Sequence, residues 1–187
     1  DLFTELNAQV QSPNGQKLAC AVYAPVNQVE LFDFNRVTGV VSNPLNLSNY
    51  KAYGVEFSSD NSKLYVTQET EFLGSPLYPP LYQYDLSSGV PATIIASKSM
   101  IARILCFAAY GSAIMLGPDS NIYVSRWGND TLGIIKNSNL TFPACTYMNN
   151  GVSLGAANLK CIAGLPNNYI MNQLFYADYT TSADTIC

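Results

Sequence analysis

Hydrophobic and polar residues alternate along several short stretches of the chain, and polar turns separate these stretches. Leu18, Cys20 and Val22 share one face of such a stretch. Leu64 and Val66 share one face of a later stretch. A period of two is typical of β-strands with one buried face, because successive side chains point to opposite sides. The pattern predicts an all-β chain of short strands, without a helix of useful length.

A polar turn followed by a strand recurs three times along the chain. The copies begin at Ser12, Ser58 and Gly117, so that 46 and 59 residues separate successive copies. The third turn position holds Asn or Asp, whose side chain bonds nearby backbone or tolerates a left-handed conformation. Since a further strand precedes each turn, the pattern predicts three β-hairpins.

Further strands are predicted after each hairpin. A third strand is expected at 29–34, 81–86 and 131–135. A fourth strand is expected at 40–41 and 92–95, and the apolar residues 100–110 are interpreted as a strand rather than as a short helix. Four-stranded units of roughly 40–50 residues are typical of β-propeller blades.

The repeats predict one β-propeller segment over residues 1–187. Its four-stranded antiparallel blades are placed at about 8–50, 51–97 and 98–140, with a partial blade at 141–187. Closed propellers have about four to eight blades, so these three to four blades are expected to form part of a larger ring. Gln9 and Gln11 stand where the other units have apolar residues, which fits a boundary at the first blade.

Several stretches together resemble a known group of repeats. They are 29–43, 53–58, 63–66, 82–86, 116–119, 122–124 and 164–167. They are similar to the WD40-like propeller region of large secreted Bacteroidota proteins, which often end in a type 9 secretion, gliding-motility-associated type B sorting domain. The resemblance implies export, attachment at the cell surface, and binding or scaffolding without shared catalytic residues. It also implies that this chain corresponds to the C-terminal half of a longer propeller.

Composition and charge narrow the choice of partners. Charged residues make up 12% of the chain, about half of the usual share of roughly 25%, and the net charge is −4. Without a run of Lys or Arg, no nucleic-acid partner is expected. Without an apolar run of about 20 residues, no membrane insertion is expected. Because residue 1 is Asp1, the chain is expected to be a processed product or a piece of a longer protein.

The sequence contains no histidine, which excludes a Ser-His-Asp or Cys-His arrangement within it. No catalytic residue, metal site or cofactor is therefore predicted. Recurring aspartates are interpreted as turn caps, because no Ca²⁺-binding pattern accompanies them. Glu56, Glu69 and Glu71 leave open an alternative, a pair of acids in an enzyme that acts on polysaccharide.

Two regions are candidate binding sites. The insertion at 68–80 is rich in Pro, Gly and aromatic residues, and Phe72, Tyr78 and the following Tyr82 are its candidate contacts. Aromatic rings on a loop suit a sugar ring or a protein partner, and the alternative is a loop packed on its own blade. Arg126 and Trp127 form the second candidate, for which a structural tryptophan is the alternative.

The chain has five cysteines and no CxxC spacing. Cys145 and Cys161 flank a turn-rich segment and are predicted to form a disulfide. Cys20 and Cys106 lie in apolar runs, where buried thiols and pairing both remain open. Because the count is odd, Cys187 is expected to pair outside the chain.

These observations predict a non-enzymatic secreted or cell-surface propeller module for scaffolding, adhesion, or protein or glycan binding. The expected partner is the remainder of the polypeptide or another protein that completes the ring, and a surface glycan is a further candidate. Two alternatives stay open. One is a fragment of a propeller enzyme that acts on polysaccharide, and the other is a structural subunit of a surface assembly completed by another chain.

Overall fold

A computed structural model describes residues 7–22, 27–69, 78–107, 111–155, 159–162 and 164–165. Within these ranges the chain forms three four-stranded antiparallel sheets and one short helix. The all-β class and the four-stranded unit are therefore confirmed. In each sheet the strands lie side by side in sequence order, so that each sheet is a meander.

The strands are numbered along the chain. Sheet 1 contains β1 (Asn7–Gln11), β2 (Lys17–Val22), β3 (Gln28–Asn35) and β4 (Val40–Ser48). Sheet 2 contains β5 (Ala52–Phe57), β6 (Lys63–Gln68), β7 (Pro80–Asp85) and β8 (Ser99–Arg103). Sheet 3 contains β9 (Ile114–Leu116), β10 (Ile122–Val124), β11 (Thr131–Lys136) and β12 (Thr146–Ser153). The helix α1 (Pro91–Ala96) connects β7 to β8.

The three predicted hairpin turns have a common geometry. Their fourth residues, Gly15, Asn61 and Ser120, all have a positive φ of 64–70°. In the first two turns, a serine hydroxyl oxygen accepts the backbone N–H of the lysine five residues later, at 2.9 Å. Gly117 replaces that serine in the third turn, which closes one residue earlier. Local turn chemistry thus explains why these segments were recognisable as repeats.

Sheet 2 lies between the other two sheets and presents a different face to each. Leu64, Val66 and Tyr84 belong to an apolar core shared with sheet 1. Tyr65 and Leu81, which point to the opposite side, belong to a second core shared with sheet 3. The first strands are also neighbours, since β5 contacts β1 on one side and β9 on the other.

The prediction of a strand at 92–95 is wrong, because these residues form helix α1. Pro91 stands in its first turn, where the fixed φ of proline suits a helix and the missing N–H costs nothing. Only Ile94 of this helix is buried, at 3% exposure. The fourth strand of sheet 2 is β8 instead, so this sheet extends past the predicted boundary at 97 and takes in only the first part of the predicted strand at 100–110.

The third sheet also differs from the prediction. Its fourth strand is β12, within the range 141–187 that was assigned to a partial fourth blade. Its sequence contains Asn149, Asn150 and Gly151, which are poor strand formers, so pairing with β11 determines its structure. Residues 166–187 lie outside the described residues. Among the described residues, no helix is long and apolar enough to cross a membrane.

Candidate functional site

A cleft with a volume of about 360 Å³ opens at one end of sheets 1 and 2, opposite the hairpin turns. Alternate connections of a meander lie at the same end of a sheet, and the cleft collects residues where such connections meet the strands. Its lining consists mainly of polar residues: Asn27, Asn49, Tyr50, Lys51, Gln68, Glu69, Pro80 and Arg103.

Two side-chain oxygens in this cleft are buried without a hydrogen-bond donor. They are Asn27 Oδ1 and Glu69 Oε2, and among the described residues they are the buried side-chain polar atoms left unpaired. Lys51 Nζ lies 3.9 Å from Glu69 Oε2, which is close enough for an ion pair and too far for a hydrogen bond. An unpaired buried acceptor costs about 1–3 kcal/mol, and both oxygens have almost no accessible surface, so each would gain a bond only if its side chain turned toward a donor in the cleft.

The backbone positions these cleft residues. The Glu69 N–H donates to the Lys51 carbonyl at 2.8 Å, which continues the pairing of β5 with β6 and holds both side chains side by side. Asn27 has a φ of 54°, a left-handed conformation that asparagine tolerates. Arg103, the last residue of β8, donates from Nη1 to the Tyr78 carbonyl at 3.3 Å.

An aromatic cluster adjoins the cleft. Lys98 Nζ lies 4.2 Å from the centre of the Tyr50 ring and 4.1 Å from that of the Tyr82 ring, within the range of a cation–π interaction. Burial lowers the pKa of Lys98. Lys98 thus contacts both the candidate contact Tyr82 and Tyr50, and Tyr50, which lines the cleft, remains 52% exposed.

The other candidate contacts have separate outcomes. Tyr78 is 47% exposed and lies at the cleft margin, where its carbonyl accepts from Arg103. Phe72 lies outside the described residues. Trp127 is partly buried in the turn between β10 and β11, and its carbonyl accepts from the Phe107 N–H at 3.0 Å. Ligand contacts at Tyr78 and Trp127 stay predictions.

Arg126 is an interior residue, contrary to its prediction as a binding residue. Only 1% of it is exposed. Its guanidinium donates to the Thr131 hydroxyl and to the Asn149 carbonyl, both at 2.6 Å, and to the Leu105 carbonyl at 3.2 Å. Arg126 therefore ties the β10–β11 turn to β12 and to the segment after β8.

The predicted disulfide between Cys145 and Cys161 is not formed, since both residues are free thiols. Cys145 precedes β12 at one end of sheet 3, and its sulfur accepts from Gln83 Nε2 at 3.4 Å. The sulfur of Cys161 accepts from the Arg126 N–H, at the opposite end of β11. A six-residue strand spans about 20 Å, whereas the Cα atoms of a disulfide lie within about 7 Å.

The acids proposed for catalysis are not brought together. Glu56 lies between sheets 2 and 3, where its carboxylate accepts the backbone N–H groups of Phe57 and Leu116, both at 2.9 Å. Burial raises the pKa of Glu56 to about 7. Glu56 pairs with Tyr65, which lies four positions before Glu69, about 13 Å along the strand. That separation exceeds the roughly 5–9.5 Å between glycosidase acids, and Glu71 lies outside the described residues.

The recurring aspartates have structural roles. Asp60 and Asp119 accept backbone N–H groups within their own turns, which confirms their interpretation as turn caps. Asp85 also caps its turn, since it accepts the Ser87 N–H at 3.0 Å, and it forms an ion pair with Lys63 at 3.0 Å, whereas Asp33 forms an ion pair with Lys17 at 2.6 Å. Across the described residues, no group of three or more His, Cys, Asp or Glu residues is placed to hold a metal ion.

Sequence reasoning missed most of the cleft. Its polar residues are spaced along five strand ends and form no local motif, although Glu69 and Tyr78 fall at the predicted insertion. Placing every residue that follows or precedes a strand at one end of the meander would have found the set.

No protein-family model matches the chain, and no curated protein matches it.

Proposed function

We propose that this chain is part of a β-propeller that serves as a non-enzymatic scaffolding or adhesion module outside the cell. Three consecutive four-stranded meanders support this proposal, since propeller blades have this form. The adjacency of β1, β5 and β9 supports it further, because blades surround a central channel with one equivalent strand of each nearest to it.

The observation that carries the proposal is an exposed face on sheet 1. Leu64 and Tyr84 of sheet 2 pack in the core shared with sheet 1. Through the repeat, Leu64 corresponds to Leu18 and Tyr84 corresponds to Phe32, because each pair is directly opposed across the second and third strands. Leu18 and Phe32 therefore occupy the face with which a sheet contacts its predecessor.

Sheet 3 follows the same rule. Ile122 and Ile135 are the corresponding opposed pair, and both lie in the core shared with sheet 2. Each described sheet with a predecessor thus uses this one face to contact it. Sheet 1 carries the equivalent face, where Leu18 and Phe32 are partly exposed and line a depression of about 200 Å³ together with the polar residues Gln9 and Glu30.

The occupant proposed for this face is another four-stranded sheet of the same repeat. Val41 beside it is 49% exposed, and contiguous exposed apolar residues mark interaction surfaces. The additional sheet comes from the remainder of the polypeptide or from a separate chain. If the sheet comes from a separate chain, this protein is a structural subunit of a surface assembly.

Native mass spectrometry of the protein isolated from its source tests this proposal. We expect a folded species heavier than the 20.3 kDa of this chain. Denaturing mass then identifies the source of the extra sheet, because a longer polypeptide retains its mass and a complex separates. A folded, monodisperse species of 20.3 kDa would contradict the proposal.

A double variant tests whether the additional sheet packs on this face of sheet 1. Replacing Leu18 and Phe32 by Asp should prevent packing at this face, because burying a charge without a partner is costly. If the additional sheet belongs to a separate chain, we expect that chain to dissociate. If it belongs to the same polypeptide, we expect the melting temperature of the protein to fall. The control is Val37→Asp, since Val37 is 88% exposed in the β3–β4 turn. Equal behaviour of the two variants would show that the face is not a contact.

The location outside the cell is part of the proposal. It is supported by the resemblance to secreted propellers and by the 12% of charged residues, which leaves a surface rich in Asn, Ser and Thr. Treating intact source cells with a protease should degrade the protein without breaking the cells. Protection until lysis would contradict this part of the proposal.

A further inference from the structure

We propose that the cleft at the ends of sheets 1 and 2 binds a saccharide that carries a carboxylate, such as a uronic acid residue of a glycan. The cleft consists of residues from these two sheets alone. Saccharide binding in the cleft therefore does not depend on the additional sheet of the proposed function. Either proposal can be wrong while the other is right.

The charges of the cleft favour an acidic ligand. Lys51 and Arg103 supply two positive charges and Glu69 supplies one negative charge, a net charge of +1 in a chain whose net charge is −4. Lys51 faces Glu69 at 3.9 Å, which leaves Arg103 as the cation without an acidic partner among the described residues. Apart from the bond to the Tyr78 carbonyl, its N–H groups are available to a carboxylate.

The unpaired acceptors favour a ligand with several hydroxyl groups. Asn27 Oδ1 and Glu69 Oε2 have almost no accessible surface and no donor, so a ligand hydroxyl would satisfy either oxygen once its side chain turned into the cleft. The side-chain amides of Asn49 and Gln68 lie in the same cleft and supply N–H donors for the hydroxyl oxygens. Each ligand hydroxyl can then both donate and accept.

One aromatic ring completes the site. Tyr50 lines the cleft and is 52% exposed, although Lys98 lies 4.2 Å from its centre. Because Tyr50 stays half-exposed beside this cation, its ring retains surface on which a sugar ring can stack. A free amino acid or a peptide end would use the charges but not this ring, and the saccharide is therefore the ligand that uses every group of the cleft.

The volume suits a short segment of a glycan. About 360 Å³ lies near the lower end of the roughly 300–1,000 Å³ that small-molecule sites occupy. The cleft opens at a strand end on the surface, so that a longer glycan can continue away from it. Binding without cleavage is expected, because Glu69 has no second acid beside it among the described lining residues.

The test is isothermal titration of the full chain with trigalacturonate. Its fully methyl-esterified form is the matched ligand, since it keeps the hydroxyl groups and lacks the charge. We expect trigalacturonate to bind about tenfold more tightly, as one charge-assisted contact predicts, and this preference to weaken as the salt concentration rises. Absence of binding, or equal binding of both ligands, would overturn the proposal.

Three variants assign the binding to the cleft. Arg103→Gln should remove the preference for the acid. Glu69→Gln should weaken the binding of the methyl-esterified ligand about fivefold and increase the preference for the acid, because it raises the net charge of the cleft from +1 to +2. The control is Arg36→Gln, because Arg36 is an exposed arginine at the opposite end of sheet 1. Circular dichroism confirms the fold of each variant. Binding that is unchanged in both cleft variants, or equally weakened in the control, would overturn the proposal.

Discussion

The two sides of sheet 2 are held by different forces. Toward sheet 1 it presents Phe57, Leu64 and Tyr84, which are fully buried in an apolar core. Toward sheet 3 it presents a row that also contains the buried polar residues Thr67 and Gln83. Apolar burial has no preferred direction, whereas hydrogen bonds do, so the second interface determines the relative position of its sheets more narrowly.

The polar interface is built around Gln83. Its Nε2 donates to the Tyr65 hydroxyl at 2.7 Å and to the Leu140 carbonyl at 2.8 Å, while its Oε1 accepts the Phe142 N–H at 2.9 Å. The Tyr65 hydroxyl donates in turn to the Ser138 carbonyl at 2.8 Å. The β11–β12 connection of sheet 3 is thereby attached to sheet 2, and two further bonds, from the Ser59 hydroxyl to Asn139 Oδ1 and from the Thr141 hydroxyl to Asp85, both at 3.1 Å, add to this attachment.

The largest effect is expected in the apolar interface. Phe57→Ala should lower the free energy of unfolding by about 3–5 kcal/mol, because Phe57 is 0% exposed and its removal leaves a cavity. Urea denaturation followed by fluorescence measures the change. Val37→Ala is the control, since Val37 is 88% exposed. A loss below 1 kcal/mol would mean that sheets 1 and 2 do not share a packed core.

The second prediction concerns Glu56, the buried acid in the interface with sheet 3. Burial raises its pKa from 4.5 to about 7, so the folded state holds the proton more tightly than the unfolded state. The stability from this group is therefore present below pH 4.5 and is lost as the pH rises through 7, by about 3 kcal/mol.

Urea denaturation between pH 5 and pH 8 checks this prediction. Glu56→Gln should remove most of the decrease, because the amide does not titrate. Glu30→Gln in sheet 1 is a matched control that should leave the decrease in place. An identical pH dependence in wild type and Glu56→Gln would assign it to other groups.

A smaller effect is expected when the polar interface loses its central amide. Gln83→Leu should destabilise the protein by about 2 kcal/mol, since the amide loses its bonds to Tyr65, Leu140 and Phe142 and its weaker contact with the Cys145 sulfur. Leu140 and Phe142 are exposed enough for water to replace part of that loss. Gln16→Leu in the first hairpin turn is the control. A stabilised Gln83→Leu variant would show that this interface needs only apolar contact.

The smallest effect is expected for Tyr65→Phe, at about 1 kcal/mol. The ring remains buried, and only the hydroxyl that joins Gln83 to Ser138 is removed. A double-mutant cycle with Gln83→Leu sharpens the comparison, because the two losses should not add when they act on one network. Strict additivity would show that the two residues act independently.

Prediction from sequence was accurate where the signal is local. The strands around the three hairpin turns follow a period of two, and the turn residues carry their own conformational preferences. Prediction was wrong at Ile94 and Ile95, which are β-branched residues inside α1, because Pro91 and a single buried contact outweigh their preference for strands. It missed β12 altogether, where exposed polar residues pair with β11.

The candidate site was less predictable than the fold. Tyr78 was noticed through the insertion and Glu69 as a candidate acid, but Asn27, Lys51 and Arg103 come from three other connections. The opposite error occurred at Arg126 and Cys161. Arg126 was predicted to bind a ligand and Cys161 to form a disulfide, but both stabilise the β10–β11 turn. A residue type does not show whether its polar atoms are already paired within the fold.

The hairpins, the four-stranded unit and the absence of a histidine-based site follow from the amino-acid sequence alone. These properties depend on neighbouring residues and on composition, which the order of residues contains directly. The packing of the sheets, in contrast, sets which face of each sheet is covered, where Glu56 loses its solvent, and which polar atoms meet in the cleft. Those outcomes depend on segments far apart in the chain, and their energies arise only when the sheets exclude water from between them.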